Sequence, residues 1–213
     1  MAAVKAPARQ AEPPASRDLE TLKAAAASCT GCDLYLNATQ TVFGEGPVRP
    51  LLMMVGEQPG DKEDVAGRPF VGPAGGILDR ALAAAAIARD KVYVTNAVKH
   101  FKWTPKGKRR IHETPRASEM RACRPWLEAE VEAISPRLLV CLGSVAVGSV
   151  LGSGYKVLSQ RGQVFESALG PALITVHPSS ILRVEDPDEK NAAFELLVID
   201  LKKAASWVER AAA

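Results

Sequence analysis

Apolar residues fall in short blocks along the chain, and the spacing inside each block predicts its element. From Ser16 the pattern is helical, with Leu19 and Leu22 on one face, and it runs out near Cys29. Residues 51–55 form a continuous apolar run stopped by Gly56, which reads as a buried strand. Residues 74–88 are rich in Ala and Leu at helical spacing, a helix. Residues 92–95 are β-branched and aromatic, a second strand. Residues 125–134 read as a helix with Pro125 in its first turn. Residues 138–142 predict a third strand, with a helix over 144–151 behind it. Residues 163–166 are a candidate short strand, 172–176 a clear one, and 191–209 a long amphipathic helix. The main strands alternate with helices. That order predicts an α/β fold, a three-layer α/β/α sandwich around a central, mostly parallel four-stranded sheet.

Composition adds boundaries. Residues 1–16, with Pro7, Pro13 and Pro14, read as a disordered Ala/Pro-rich tail, and 17–213 as one domain without repeat or linker. A 47% hydrophobic chain of 213 residues can bury a substantial core, which excludes a disordered polymer. No apolar run reaches the roughly 18 residues of a membrane helix. The longest, 138–152, is broken by Gly143, Ser144, Gly148 and Ser149. The N-terminus lacks the apolar segment of a signal peptide, so the chain reads as cytoplasmic, with a monomer as the default state.

Charge is distributed unevenly. The net charge is +3, yet six basic residues (Lys99, Lys102, Lys106, Lys108, Arg109, Arg110) stand between 99 and 110 with no acid among them. This segment fits a polyanion contact, and equally a solvated loop.

Cysteine use opens a second question. Cys29 and Cys32 form a C-x-x-C pair, with Cys123 and Cys141 further on. In a cytosolic protein disulfides are disfavoured. Four thiolates suit Zn²⁺ or a [4Fe–4S] cluster equally, and Cys141, inside an apolar run, also fits a small core residue.

In open α/β sheets ligands bind beyond the carboxyl ends of the strands. After the first predicted strand come Gly56-Glu57-Gln58-Pro59-Gly60-Asp61. After the second come Asn96 and the basic segment, and after the last His177-Pro178-Ser179-Ser180. Glu57 and Asp61 are candidates for general-base or electrostatic work, or plain helix-capping acids. Neither a Walker loop nor G-x-G-x-x-G is present, which disfavours nucleotide cofactors. Phe70, between Pro69 and Pro73, fits a base-stacking platform or a core ring. Asn96 offers a donor and an acceptor side by side, suited to a pyrimidine edge or to a strand-end cap. Trp103 fits stacking on nucleic acid, whereas Trp126 and Trp207 read as helix-packing residues.

Together these residues resemble the uracil-DNA glycosylase superfamily, and the cysteine pattern resembles its iron–sulfur, family 4-like branch. Gly56-Glu57-Gln58-Pro59-Gly60 and His177-Pro178-Ser179-Ser180 resemble its two signature motifs. More narrowly, residues 56–64 followed by Arg109-Arg110-Ile111-His112 resemble the UdgX subgroup, which carries an extra Arg/His loop and becomes covalently attached to uracil-containing DNA. The resemblance runs from about Cys29 to the C-terminal helix.

It implies a set of roles. Cys29, Cys32, Cys123 and Cys141 would bind a [4Fe–4S] cluster of structural purpose. Phe70 would stack on the extruded uracil, Asn96 would hydrogen-bond its pairing edge, and His177 would contact its carbonyl. Glu57 and Gln58 would sit beside the sugar, and Gly56, Gly60 and Asp61 would line the base pocket. His112 would be the nucleophile that captures the sugar, with Arg109 positioning its loop. Lys99, Lys102, Lys106, Lys108, Arg109 and Arg110, with Ser179, Ser180 and Arg183, would meet DNA. The implied partner is uracil-containing DNA, single strands included. The implied reaction is single-turnover excision with covalent capture. The alternatives are a conventional multiple-turnover glycosylase and a non-catalytic DNA-binding module.

Overall fold

In the computed structural model, residues 9–211 are described. Their elements in chain order are α1 (Leu19–Ala26), β1 (Leu52–Gly56), α2 (Asp61–Ala66), α3 (Pro73–Ala84), β2 (Val92–Asn96), β3 (Trp103–Lys106), β4 (Arg109–His112) and α4 (Ala117–Ile134). There follow β5 (Leu138–Leu142), α5 (Gly143–Val150), α6 (Val157–Gln160), β6 (Val164–Phe165), β7 (Ala172–Thr175), α7 (Pro178–Leu182) and α8 (Pro187–Arg210).

The α/β architecture is as predicted, with one strand more. The central sheet has five strands in the order β2-β1-β5-β7-β6. β1, β2, β5 and β7 run parallel, while β6 pairs antiparallel with β7 through Val164↔Leu173 and Phe165↔Ala172. β6, within the candidate segment 163–166, is two residues long and half-buried. It has too little apolar pattern to stand out in the sequence.

Every residue of the four parallel strands is buried, because helices cover both faces. The period-two alternation divides them. Leu52, Met54, Val92, Val94, Leu138, Val140 and Leu173 pack with Leu78, Leu82, Ile181, Leu197 and Leu201 from α3, α7 and α8. Met53, Val55, Tyr93, Leu139, Cys141 and Ile174 face the other way, onto Leu127, Val131 and Ile134 of α4 and Val145–Val150 of α5. A third cluster lies between α1 and α4 and holds Leu22, Ala26, Cys32, Phe43, Cys123 and Trp126.

Three expectations need correction. Residues 1–8 of the predicted tail lie outside the described residues. Beyond them the tail is in contact with the body: the amides of Arg9 and Ala11 donate to the carbonyls of Gly31 (2.7 Å) and Ala122 (2.8 Å), and Ala11 is buried. The helix expected from Pro125 begins at Ala117, capped where Glu119 accepts from the Arg116 amide at 2.6 Å. Its first turns are polar in sequence, and Pro125 removes only its own bond to the preceding turn. The basic segment is a hairpin, not a loop. β3 and β4 pair from Trp103↔His112 to Lys106↔Arg109, around Gly107 at φ 60°. A two-residue connection with Gly at positive φ is a standard hairpin turn, so the signal was present in Gly107-Lys108. Among the described residues no helix is long and apolar enough to cross a membrane.

Candidate active site

The carboxyl ends of β1, β2 and β7 deliver three loops to one edge of the sheet. There they border a cavity of about 560 Å³, lined by Glu57, Gln58, Gly60, Asp61, Glu63, Phe70, Asn96, His112, His177, Ser179, Leu182 and Arg183 among others. Residues far apart in sequence are brought together here because parallel strands all end on the same side.

The floor is tightly built. Gly56 faces Asn96 in the β1–β2 register. A Cβ at Gly56 would stand 2.3 Å from Asn96 Oδ1 and 2.8 Å from Phe70 Cζ, so only glycine lets the amide and the ring meet there. Phe70 is 8% exposed and sits at φ 56°. A non-glycine residue in that region costs about 1 kcal/mol or more, held here by surrounding structure. Part of the clamp is Glu63. Its carboxylate accepts from the amides of Gly60 (3.1 Å) and Gly72 (2.7 Å), tying the 57–60 turn to the segment that carries Phe70. The reading of the sequence missed Glu63, although Gly60-x-x-Glu63 has capping-box spacing.

His177 stacks over Phe70, ring centroids 6.2 Å apart and planes at 28°. Its Nδ1 accepts from the Ser179 amide at 3.1 Å and lies 2.8 Å from Ser179 Oγ. An accepting Nδ1 leaves the ring proton on Nε2. Burial, aided by His112 and Arg183, pulls the His177 pKa down to about 4, so the imidazole is neutral at physiological pH.

His112 is carried in by β4. Its Nε2 lies 3.4 Å from Glu57 Oε1, and the ring is 45% exposed at the cavity. Glu57 Oε1 is buried with no aligned hydrogen-bond donor. Burial raises the Glu57 pKa against the pull of Arg183. Burial lowers that of His112, and Arg183 lowers it further. A neutral imidazole thus stands beside an under-satisfied carboxyl group.

Several expected site residues have other work. The Gln58 side chain does not lie free beside a substrate. Its Nε2 donates to the carbonyls of Lys102 and Glu113, both at 3.1 Å, and its Oε1 accepts from the Lys102 amide at 3.0 Å. Gln58 therefore fastens both ends of the hairpin. Arg110 folds inward onto Asp61 (2.6 Å) and Asp64 (2.5 Å), over the rings of Phe101 and Trp103. Asp61 is thereby engaged as an ion-pair partner at the cavity rim. Trp103 donates through Nε1 to the Asn37 carbonyl at 2.9 Å and lies under Arg110, so it is not a free stacking ring.

Lys99 and Lys102 are not phosphate-facing either. Lys99 is buried against Glu130, and Lys102 against Glu119 at 3.1 Å and Glu113 at 3.4 Å. Glu119 and Glu130 arrive from α4 and Glu113 follows the segment, so residues 99–110 taken alone are unbalanced. Lys106, Lys108 and Arg109 remain exposed at the hairpin tip. Arg183 donates to Ser179 Oγ at 3.2 Å, and the exposed Ser180 caps back to the His177 carbonyl at 2.7 Å.

The cysteines separate into two groups. Cys29, Cys32 and Cys123 share the cluster beneath α1 and α4. Trp126 Nε1 donates to Cys29 Sγ and the Lys99 amide to Cys123 Sγ, each at 3.2 Å. Cys141 lies on β5 between Val55 and Ile174, in the layer between the sheet and α4, with α4 separating it from the other three. Its expected place in a four-cysteine set is not met, because an inward strand position in the sheet core is a different compartment. His100, next to Lys99 and 5% exposed, has its Nε2 2.9 Å from Thr41 Oγ1, which donates to the Ala26 carbonyl at the end of α1. Among the described residues no three His, Cys, Asp or Glu side chains converge as a finished metal site.

Residues 43–202 match the uracil DNA glycosylase superfamily. The chain is 36% identical over 184 residues to a type-4 uracil-DNA glycosylase of Thermotoga maritima, covering 85% of this chain and 90% of that protein. It is 34% identical over 174 residues to one from Pyrobaculum aerophilum, covering 78% and 85%. A third, from Archaeoglobus fulgidus, is 34% identical over 163 residues, covering 73% and 78%. With three quarters of its length inside the family match, the chain belongs to the uracil DNA glycosylase superfamily.

Proposed function

We propose that the protein excises uracil from DNA by cleaving the N-glycosidic bond. The observation that carries this reading is the convergence of Phe70, Asn96 and a neutral His177 on one cavity. A base leaving its stack needs a ring to lie on, and Phe70 offers one. Asn96 presents donor and acceptor to the pairing edge. As the bond breaks, its electron pair goes to uracil and the sugar becomes oxocarbenium-like. An Nε2–H on His177 then faces the developing charge on the uracil oxygen, a preorganised contact strongest in the transition state. Lys106, Lys108 and Arg109 would meet phosphates, giving salt-dependent binding. In conventional turnover a water activated or oriented by Glu57 completes the reaction.

The place of His112 favours a second, narrower reading of the same site, of the UdgX kind. Its neutral ring competes with water for the sugar cation. Attack by the ring lone pair forms a C–N bond and leaves an imidazolium, whose positive charge Glu57 offsets. The product has no easy leaving group, so the protein stops after one event. Incubation with a uracil-containing oligonucleotide, followed by a denaturing gel and intact mass, separates the readings. A heat-stable shifted band that maps to His112 supports capture. Free uracil without a band leaves a conventional glycosylase, and neither product rejects both. In the first case His112→Ser is expected to lose the band while uracil release continues, because water then reaches the sugar.

The donor chemistry of the α1–α4 compartment fits a [4Fe–4S] cluster on Cys29, Cys32 and Cys123, each thiol placed among buried groups and two already accepting N–H donors. His100 is a nitrogen donor tied through Thr41 to the end of α1, and we propose it in place of Cys141 as the fourth ligand. The cluster would cross-link three chain segments, and glycosidic cleavage needs no electron from it.

A further inference from the structure

Lys99 and Glu130 form an ion pair whose side chains are 1% and 0% exposed. Two packed apolar residues would stabilise the fold as well or better, because both ions must be stripped of water. The contacts of the pair show what else it does.

β2 is the edge strand of the sheet. Beyond it, among the described residues, a single bridge pairs with the strand, in which the amide and carbonyl of Val94 bond Glu45, both at 2.9 Å. Two residues on, Asn96 presents its carbonyl to the same outer side, past the end of that bridge. The donor it finds is Lys99 Nζ, at 2.7 Å. Lys99 Nζ also donates to Thr95 Oγ1 at 2.7 Å and to the Glu130 carboxylate, so all three of its protons are placed. Glu130 in turn accepts from the Gly44 amide (2.9 Å), Tyr93 Oη (3.0 Å) and Thr95 Oγ1 (3.0 Å). The ammonium thus stands where a neighbouring strand would otherwise hold the end of β2.

We infer that Lys99, ion-paired with Glu130, is the positioning residue for Asn96. It fixes the Asn96 carbonyl, and with it the backbone from which the side-chain amide reaches the base. The inference rests on the reading of Asn96 as the uracil-binding amide. The Lys99 amide also donates to Cys123 Sγ, so the same residue joins the cysteine compartment to the base pocket.

The test uses free uracil as probe for the base pocket and an oligonucleotide with a tetrahydrofuran abasic analogue as probe for the DNA surface. Lys99→Met alone strands the Glu130 charge and is expected to lower Tm. Lys99→Met/Glu130→Gln removes both charges and keeps an acceptor for Gly44 and Tyr93, so Tm is expected to recover. In that double variant uracil binding should remain at least tenfold weaker, with abasic-DNA affinity within twofold of the parent. Recovery of uracil binding together with Tm would overturn the inference and leave the pair a structural feature. Should neither Lys99 variant fold, Glu130→Gln alone is read. A threefold or larger loss of uracil affinity at unchanged abasic-DNA affinity supports the inference, and unchanged uracil affinity overturns it. Asn96→Ala measured in parallel identifies a failure of the underlying reading, since its uracil binding would then match the parent.

Discussion

At the scale of single residues the pocket is governed by contacts that leave no slack. Gly56→Ala places a methyl 2.3 Å from Asn96 Oδ1. The side-chain amide must turn away or the strand must shift. Uracil release is expected to fall at least about 100-fold, in line with the cost of misplacing a reacting group, while far-UV circular dichroism stays unchanged. A variant with full activity would mean that Asn96 and Phe70 need not meet over Gly56. Protonation gives a second test. Only the neutral His112 ring can attack, and its pKa lies below 6.5 through burial and Arg183. The single-turnover capture rate should therefore fall as the pH is lowered, with a midpoint below 6.5. A midpoint above 6.5 would contradict this environment for His112. Phe70, Asn96 and His177 were readable in the sequence because each sits just beyond, or is fixed by turn residues near, a strand end. Lys99 and Lys102 were misread, and the anchoring work of Gln58 at the cavity wall was not foreseen, because their partners Glu130, Glu119 and the Glu113 carbonyl lie outside the local pattern of charge.

At the scale of elements the β3–β4 hairpin decides what reaches the sugar. It touches the body through Gln58 at its base, through Arg110 on Asp61 and Asp64, and through Trp103 on Asn37. Gln58→Ala removes three hydrogen bonds at once, roughly 2–3 kcal/mol of anchoring. The hairpin should then sample positions in which His112 is withdrawn. Capture is expected to slow about tenfold or more, with uracil release less affected, and amide exchange to quicken over residues 103–112. Equal loss of both activities would show that Gln58 also acts on the base pocket. The hairpin itself was hidden in the sequence by its charge. Six basic residues fit a polyanion contact or a solvated loop equally, and the hairpin turn was signalled by Gly107-Lys108. α4 was foreshortened for a related reason. Its first two turns carry Ser118, Arg121 and Arg124 outside and bury Glu119, which reverses the usual polar pattern.

At the scale of the whole molecule the sheet was legible because both of its faces are covered, so its strands are unbroken apolar runs. What the runs do not reveal is which side each residue faces, and the cysteines depend on that. Cys141 is an inward position of β5, between Val55 and Ile174, whereas Cys123 belongs to the compartment of Cys29 and Cys32 across α4. The two sites should respond differently to one substitution. Cys141→Ala removes a single buried sulfur and is expected to cost about 1–2 kcal/mol in denaturant unfolding, with iron and sulfide content unchanged. Cys123→Ala is expected to lose iron together with cooperative folding, because the proposed cluster would join three chain segments. His100→Ala should follow Cys123→Ala in iron content, though less completely, since three thiolates remain. Loss of iron from Cys141→Ala would return that residue to the ligand set and require β5 to open toward the α1–α4 compartment. That movement would break the β1–β5–β7 pairing on which the base pocket stands, so the same preparation should then also have lost uracil binding.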